Sequence, residues 1–140
     1  LSSHGKIISV NIINGQRNWS VDISGYRTPI VSGNQIYLID EDGRLICLDR
    51  TSGDIYWISN LGKFRKGNKI DDLNMWLGPY LLNNLLYTMS YFGDLKIISP
   101  ITGEIVSQRN VGINKIIIDP IIPNDTVFIT DENSNVYTLK

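Results

Sequence analysis

The sequence predicts an all-β fold, a β-propeller built of four-stranded antiparallel blades. The first observation is a repeated phrase, whose fullest copy is GRLICLDRTSGDIYW at residues 43–57. Other copies are GKIISVNIINGQRNW at 5–19, GDLKIISPITGEI at 93–105 and a fourth that begins NVYTL at 135–139. A period of about 40–45 residues with four short strands is typical of propeller blades. The second observation is that no long apolar stripe has helical spacing, so we expect almost no helix.

Each repeat divides into the same elements. In the second repeat we predict strands from β-branched and aromatic runs and turns from Asp, Gly, Ser and Thr, in the order Pro29–Val31, Gln35–Ile39, turn 40–43, Arg44–Asp49, turn 51–53 and Asp54–Ile58. The same frame predicts strands around 79, 85–87, 95–98 and 105, and again around 120, 127–129 and 136–139. We expect each proline at the first residue of a strand, where its missing N–H costs least.

The repeats set the domain boundaries. We predict blade units at approximately 1–24 (partial), 25–60, 77–110 and 118–140 (partial), with an inserted loop at 61–78. About three blades are therefore present, whereas propellers typically close with about 4–8. We expect the chain to be part of a longer protein. An independent three-blade unit that pairs into a six-blade ring is the open alternative.

Composition excludes several classes of function. The net charge of −1 gives no electrostatic case for nucleic-acid binding. No apolar stretch reaches the length of a transmembrane helix. The chain has one His and one Cys, His4 and Cys47, so no zinc spacing or nucleophilic triad can be assembled. We therefore expect no catalytic residue, no metal and no cofactor, and we expect Cys47 to be an inert core thiol.

The repeat resembles that of pyrroloquinoline-quinone-type propellers, whose pattern is G-x-L-x-x-L-D-x-x-T-G-x-I-x-W. The segments at 82–87, 93–95, 102–106, 120–129 and 135–140 are similar to the C-terminal part of BamB-type lipoproteins of the outer-membrane β-barrel assembly machinery. This resemblance implies an eight-bladed, non-catalytic scaffold on the periplasmic face of the outer membrane. Its implied partner is the barrel-assembly outer-membrane protein, met through periplasmic domains, and its implied lipid anchor lies upstream.

A second group with the same repeat, the quinoprotein dehydrogenases, remains an alternative. The resemblance to that group implies a calcium site, a catalytic Asp and, in many members, adjacent cysteines near the quinone. This chain has one cysteine, and no such cluster is present in it. A generic protein-interaction domain of the same repeat type is the other alternative.

Two sets of residues are candidates for a role. We expect the first set to dock neighbouring blades through indole packing and tight turns; it comprises Trp19, Trp57, Gly43, Gly53, Gly93 and Gly103. The second set suits a partner-contact surface, because aromatic residues, Met and Arg are enriched at interfaces; it comprises Phe64, Arg65, Lys66, Trp76, Tyr26 and Arg27. For the second set the open alternative is a long loop whose Trp76 packs against its own blade.

Overall fold

The structure, a computed structural model, describes residues 2–3, 5–65, 73–113, 115–116, 118–123 and 126–139. All regular elements in these ranges are strands, so the prediction of an all-β fold is confirmed. The strands are β1 (Ser2–Ser3), β2 (Lys6–Val10), β3 (Arg17–Val21), β4 (Ile30–Ser32), β5 (Gln35–Ile39), β6 (Arg44–Asp49), β7 (Ile55–Asn60), β8 (Trp76–Leu82), β9 (Leu85–Ser90), β10 (Asp94–Ile98), β11 (Ile105–Asn110), β12 (Val127–Thr130) and β13 (Val136–Leu139).

Four antiparallel sheets follow one another along the chain. Their strand orders are β1-β2-β3, β4-β5-β6-β7, β8-β9-β10-β11 and β12-β13, and we call them blades 1 to 4. Each strand pairs with its neighbour in sequence because short turns join them, which is the connectivity of a propeller blade. Blades 2 and 3 are complete four-stranded units.

The predicted strand count differs at both ends. We expected two strands before Pro29 and about three in the last unit, whereas the described residues of these units contain three and two strands. The missing third strand of blade 4 is reduced to a single bridge between Ile121 and Phe128. The prediction that prolines open strands is wrong for Pro79, which lies inside β8. The pairing of β8 with β9 is interrupted between Leu77 and Tyr80. Pro79, which lacks an N–H, therefore removes no hydrogen bond from a regular pair of strands.

The hydrophobic core lies between blades. One cluster joins blades 1 and 2 and includes Ile7, Ile23 and Leu38, and a second joins blades 2 and 3. A third cluster joins blades 3 and 4 through Leu95, Ile113 and Ile129. Both faces of blades 2 and 3 are therefore covered by neighbours. This explains why strands such as β6, RLICLD, are continuous apolar runs and do not alternate.

Two faces of the molecule carry different connections. The hairpin between β5 and β6 lies beside the connections between blades, because Glu41 N–H donates to Ser24 O and Leu61 N–H donates to Gly43 O. Blade 3 repeats this arrangement, with Val111 N–H donating to Gly93 O. We call this the loop face; it contains residues 22–29, 40–43, 61–65, 73–75, 91–93 and 111–113. The turns at 11–16, 50–54 and 99–104 lie at the opposite ends of the strands and form the turn face.

Candidate interaction surface

The two tryptophans that end the repeat phrase make the same contact on successive blades. Trp19 of blade 1 donates its indole N–H to Arg50 O of blade 2 at 2.9 Å. Trp57 of blade 2 donates to Pro100 O of blade 3 at 3.1 Å. Each indole therefore lies against the turn of the following blade on the turn face. An indole suits this position because it fills apolar space and its N–H needs one acceptor.

The glycines of the repeat lie where the chain has no room for a side chain. A Cβ on Gly53 would lie 2.7 Å from the Trp19 ring, and one on Gly103 would lie 2.5 Å from the Trp57 ring. On the loop face, a Cβ on Gly43 would lie 3.0 Å from Gly62 O, and one on Gly93 would lie 2.2 Å from Ile113 O. All four glycines thus permit close approach between one blade and the connection or indole that packs on it.

The carboxylates of the turns bind their own backbone. Asp40, which is 2% exposed, accepts hydrogen bonds from the N–H groups of Asp42 and Arg44 and from the Arg44 side chain. Asp131 occupies the matching turn of blade 4 and accepts from Asn133 and Asn135. These are the local bonds predicted for Asp at a tight turn. Among the described residues no three His, Cys, Asp or Glu side chains group in a way that could hold a metal ion.

Tyr26 and Trp76, both candidates for the partner-contact set, meet on the loop face. The Tyr26 hydroxyl donates to Trp76 O and accepts from Trp76 N–H, each at 2.9 Å. β8 is an edge strand of blade 3, so this hydroxyl satisfies main-chain groups that no other described strand pairs. Burial raises the pKa of Tyr26 above its usual value. Tyr26, from the connection before blade 2, therefore hydrogen-bonds the first residue of blade 3.

Trp76 cannot contact a partner from the surface. Its side chain is 0% exposed and donates its indole N–H to Gly62 O at 2.8 Å. The assignment of Trp76 to the partner-contact set is therefore wrong, because the residue opens β8 and packs in the core between blades 2 and 3. For the same reason the inserted loop ends before residue 76 and does not reach 78.

The other candidates of the partner-contact set differ in exposure. Tyr26 is 38% exposed, Arg65 is exposed and Phe64 is half-buried. Phe64 forms an isolated bridge with Leu73, which closes the base of the loop. Arg27 is drawn between blades, since it pairs with Asp119 at 3.4 Å and stacks over the Tyr26 ring at 5.4 Å. Lys66 lies outside the described residues, as do His4, Asp71 and Asp72.

A shallow depression on the loop face was not predicted from the sequence. It has a volume of about 220 Å³ and is bordered by Tyr26, Lys63, Leu73 and Met75. Leu73 and Met75 are 41% and 45% exposed, although both are apolar. Lys63 forms an ion pair with Asp42 at 2.6 Å, so its charge is compensated, and the hydrogen bond to Lys63 lowers the pKa of Asp42. The depression therefore offers an apolar floor with a polar rim, the usual anatomy of a contact surface.

Cys47 lies at the centre of the junction between blades 2 and 3. It is 0% exposed, it pairs across the sheet with Trp57, and burial raises its pKa to about 11. A thiol in this environment stays protonated and is shielded from reagents.

Comparison with known proteins agrees with this architecture. Residues 1–59 match the sequence model of the PQQ_2 family, described as outer membrane protein assembly factor BamB. A relative of that name from Alkalilimnicola ehrlichii is 24% identical over 97% of this chain and 33% of its own length. The resemblance to BamB-type proteins is confirmed. The chain spans about a third of the length of the curated relatives that it matches.

Two solved structures share this fold. BamB from Moraxella catarrhalis superimposes with a TM-score of 0.70 at 17% identity, over 96% of this chain and 43% of that protein. Quinohemoprotein alcohol dehydrogenase from Comamonas testosteroni gives a TM-score of 0.54 at 20% identity, over 76% of this chain and 17% of that enzyme. At these identities both comparisons establish a shared propeller architecture and nothing about activity. Within the described residues, no helix is long and apolar enough to cross a membrane.

Proposed function

We propose that the chain is part of a non-catalytic binding scaffold that acts in outer-membrane protein assembly, on the periplasmic face of that membrane. The observation that carries the proposal is its similarity, over nearly its whole length, to proteins named as BamB assembly factors. Its partner is the barrel-assembly outer-membrane protein, met through periplasmic domains. The chain supplies rigid blades and presents side chains from the connections between them.

The loop-face depression supports this proposal. Leu73 and Met75 leave apolar surface in solvent beside Tyr26, although the interior of blades 2 and 3 is well filled. An apolar side chain of a partner that enters such a pocket contributes most of the affinity of an interface, and the polar rim contributes less. The Tyr26–Trp76 hydrogen bonds fix one wall of the depression, so it is preformed in the free protein. Preformed pockets lose little conformational entropy on binding.

Site-specific photocrosslinking in native membranes tests the proposal. A photoreactive residue replaces Met75 on the loop face, and a matched one replaces Ile101, which is 79% exposed on the turn face. We expect an adduct between the barrel-assembly protein and the Met75 position, and at most a trace from the Ile101 position. Equal adducts from both positions, or adducts from neither, would contradict the assignment of the loop face.

A further inference from the structure

A second depression lies at the junction of blades 2 and 3, where β11 passes the connection that leaves β7. It is a cleft of about 530 Å³ whose walls include Arg65, Asn74, Trp76, Asp94, Lys96 and Asn110. A shallower groove lies at the other end of the same strand, between residues 58–60 of β7 and 102–105 before and at the start of β11. The two depressions therefore follow β11 from its first residue to its last.

The described lining of the cleft holds three cations, Arg65, Lys96 and Arg109, against one carboxylate, Asp94. Lys96 Nζ donates to Leu61 O at 2.9 Å and lies 5.2 Å from the Trp76 ring, and the Arg65 guanidinium stacks over Phe92 at 4.6 Å. Elsewhere in the described chain, Lys6, Arg27, Arg44, Lys63 and Lys115 each pair with an acidic side chain. Burial lowers the pKa of Lys96, because a partly desolvated ammonium is costly, and the charge of Asp94 acts in the opposite direction.

The polar groups of the cleft also favour an acidic ligand. Its one described carboxylate, Asp94, is occupied by hydrogen bonds from Asn110 Nδ2 at 2.8 Å and from Ser90 Oγ at 3.1 Å. Asn74, which is 9% exposed, has a buried side-chain oxygen that accepts no hydrogen bond from the described residues. The described lining therefore carries more positive than negative charge, and one acceptor that no described group satisfies. A ligand with a carboxylate and an N–H donor complements both.

The strand beside the cleft is open on its outer side. Among the described strands, β11 is at the end of its sheet and pairs with β10 alone, and all six of its residues, Ile105–Asn110, are exposed. An edge strand presents unpaired main-chain groups that an extended peptide can join. Six residues of extended peptide span roughly 20 Å, the length of the strand.

We propose that this junction binds an extended, acidic peptide segment: its backbone pairs along β11 and its carboxylate lies between Arg65 and Lys96. The proposal goes beyond the scaffold function and does not depend on it. The cleft adjoins the loop-face depression at Asn74, which borders both, and the occupant of the cleft is defined by its charge and extended backbone.

Fluorescence anisotropy on the purified protein tests it, with a labelled eight-residue peptide that carries two Glu at one end and a matched peptide with Gln in their place. We expect the Glu peptide to bind at least five-fold more tightly and the difference to shrink at high salt. Arg65→Gln should weaken its binding about five-fold and Lys96→Gln about ten-fold, since hydrogen bonds to charged groups exceed neutral ones. The matched control, Arg17→Gln, removes an exposed cation of β3 and should change binding less than about two-fold.

Thermal unfolding of each variant establishes whether it is folded. If the Lys96→Gln protein is not folded, the peptide affinity of the Arg65→Gln protein tests the proposal by itself. A peptide methylated on alternate backbone nitrogens should lose binding, because methylation removes the main-chain donors. Equal affinity for the Glu and Gln peptides, equal effects of Arg65→Gln and Arg17→Gln, or full binding of the methylated peptide would each overturn the proposal. Binding of inorganic phosphate or of anionic phospholipid vesicles in place of the Glu peptide would also overturn it.

Discussion

The junctions between blades 2 and 3 and between blades 3 and 4 are built differently. In the former, the Trp57 indole crosses to blade 3, bonds to Pro100 O and lies against Gly103. In the latter, the residue of blade 3 at the matching register position is Ser107, opposite Ile97 as Trp57 is opposite Cys47. Ser107 is exposed and provides no bulk toward blade 4.

The interior of the two junctions differs accordingly. Around Cys47 and Tyr37 the core between blades 2 and 3 is packed, and the cleft beside Lys96 opens only near the loop-face end of that junction. Between blades 3 and 4 there is a cavity of about 200 Å³, lined by residues that include Tyr80, Met89 and Val127. Among the described residues, the Thr88 hydroxyl is buried there without a hydrogen-bond partner, and burial raises the pKa of Tyr80. The comparison indicates that the indole of the repeat phrase fills the part of its junction next to the turn face, because unfilled volume and an unpaired buried hydroxyl both cost stability.

Among the substitutions that test this comparison, Trp57→Ala should have the largest effect on stability. It removes the indole contact with Gly103, the hydrogen bond to Pro100 O and the packing on Tyr37, whose ring centre is 5.9 Å away. We expect the free energy of unfolding to fall by about 3 kcal/mol, the lower end of the range for large-to-small aromatic changes. Urea denaturation measures it, and a loss below about 1 kcal/mol would show that the indole does not hold the junction.

A smaller effect should come from the glycine under the indole. Gly103→Ala places a methyl 2.5 Å from the Trp57 ring, whereas Gly15→Ala, at the matching turn of blade 1, has nothing within 4 Å. The two glycines have φ values of 74° and 72°, so the backbone strain of an alanine is alike. We expect Gly15→Ala to cost about 1 kcal/mol and Gly103→Ala about 2–3 kcal/mol. Equal midpoints for the two variants in thermal unfolding would contradict a contact role for Gly103.

Much of this fold follows from local sequence. The predicted strands Gln35–Ile39, Arg44–Asp49 and Val136–Leu139 have the bounds found in the structure. Their ends are defined by Asp, Gly, Asn and Thr at tight turns, where the residue type itself limits the backbone conformation. The position of Trp19 and Trp57 at the end of the phrase likewise predicts a contact between blades, because a repeat that leaves one large side chain at its edge must cover it with the next repeat.

The candidate surface was harder to predict, for a physical reason. Trp76 and Tyr26 are 50 residues apart in sequence, and the hydrogen bonds between them depend on how two connections converge on the loop face. Neither residue has a local pattern that distinguishes a buried aromatic ring from an exposed one. The single available signal was Trp76-Leu77-Gly78-Pro79-Tyr80, which continues into a predicted strand and could have placed Trp76 in β8. The cleft at Lys96 had no signal, since a lysine within a strand usually faces solvent.

The pH dependence of stability tests whether water is excluded from the thiol of Cys47 at the junction between blades 2 and 3. Burial raises the pKa of Cys47 to about 11 from a usual value of 9.0, and that of Tyr37 to about 12. A raised pKa means that the folded state binds the proton more tightly, so this stability is complete below pH 9 and is lost as the pH rises toward 11.

Comparison of the wild type with Cys47→Ala isolates this contribution. The difference in unfolding free energy between the two proteins should shrink by about 1 kcal/mol between pH 8 and pH 10, after allowance for solvent screening. A difference that stays constant over that interval would mean that water reaches the thiol. Alkylation by iodoacetamide at pH 8 gives a second measure, and it should be slow in the folded protein and fast in urea.

The smallest expected effect belongs to the junction between blades 3 and 4. Ser107→Ala alters a residue that occupies the register position of the tryptophans but is exposed in β11. We expect a change of no more than about 0.5 kcal/mol in the free energy of unfolding, as for most surface substitutions. Trp57→Ala and Ser107→Ala therefore change equivalent positions of adjacent blades with very different costs. A loss above about 1.5 kcal/mol for Ser107→Ala would show that the serine side chain stabilises blade 3 in its own right, and the contrast between the two junctions would then have another cause than the indole.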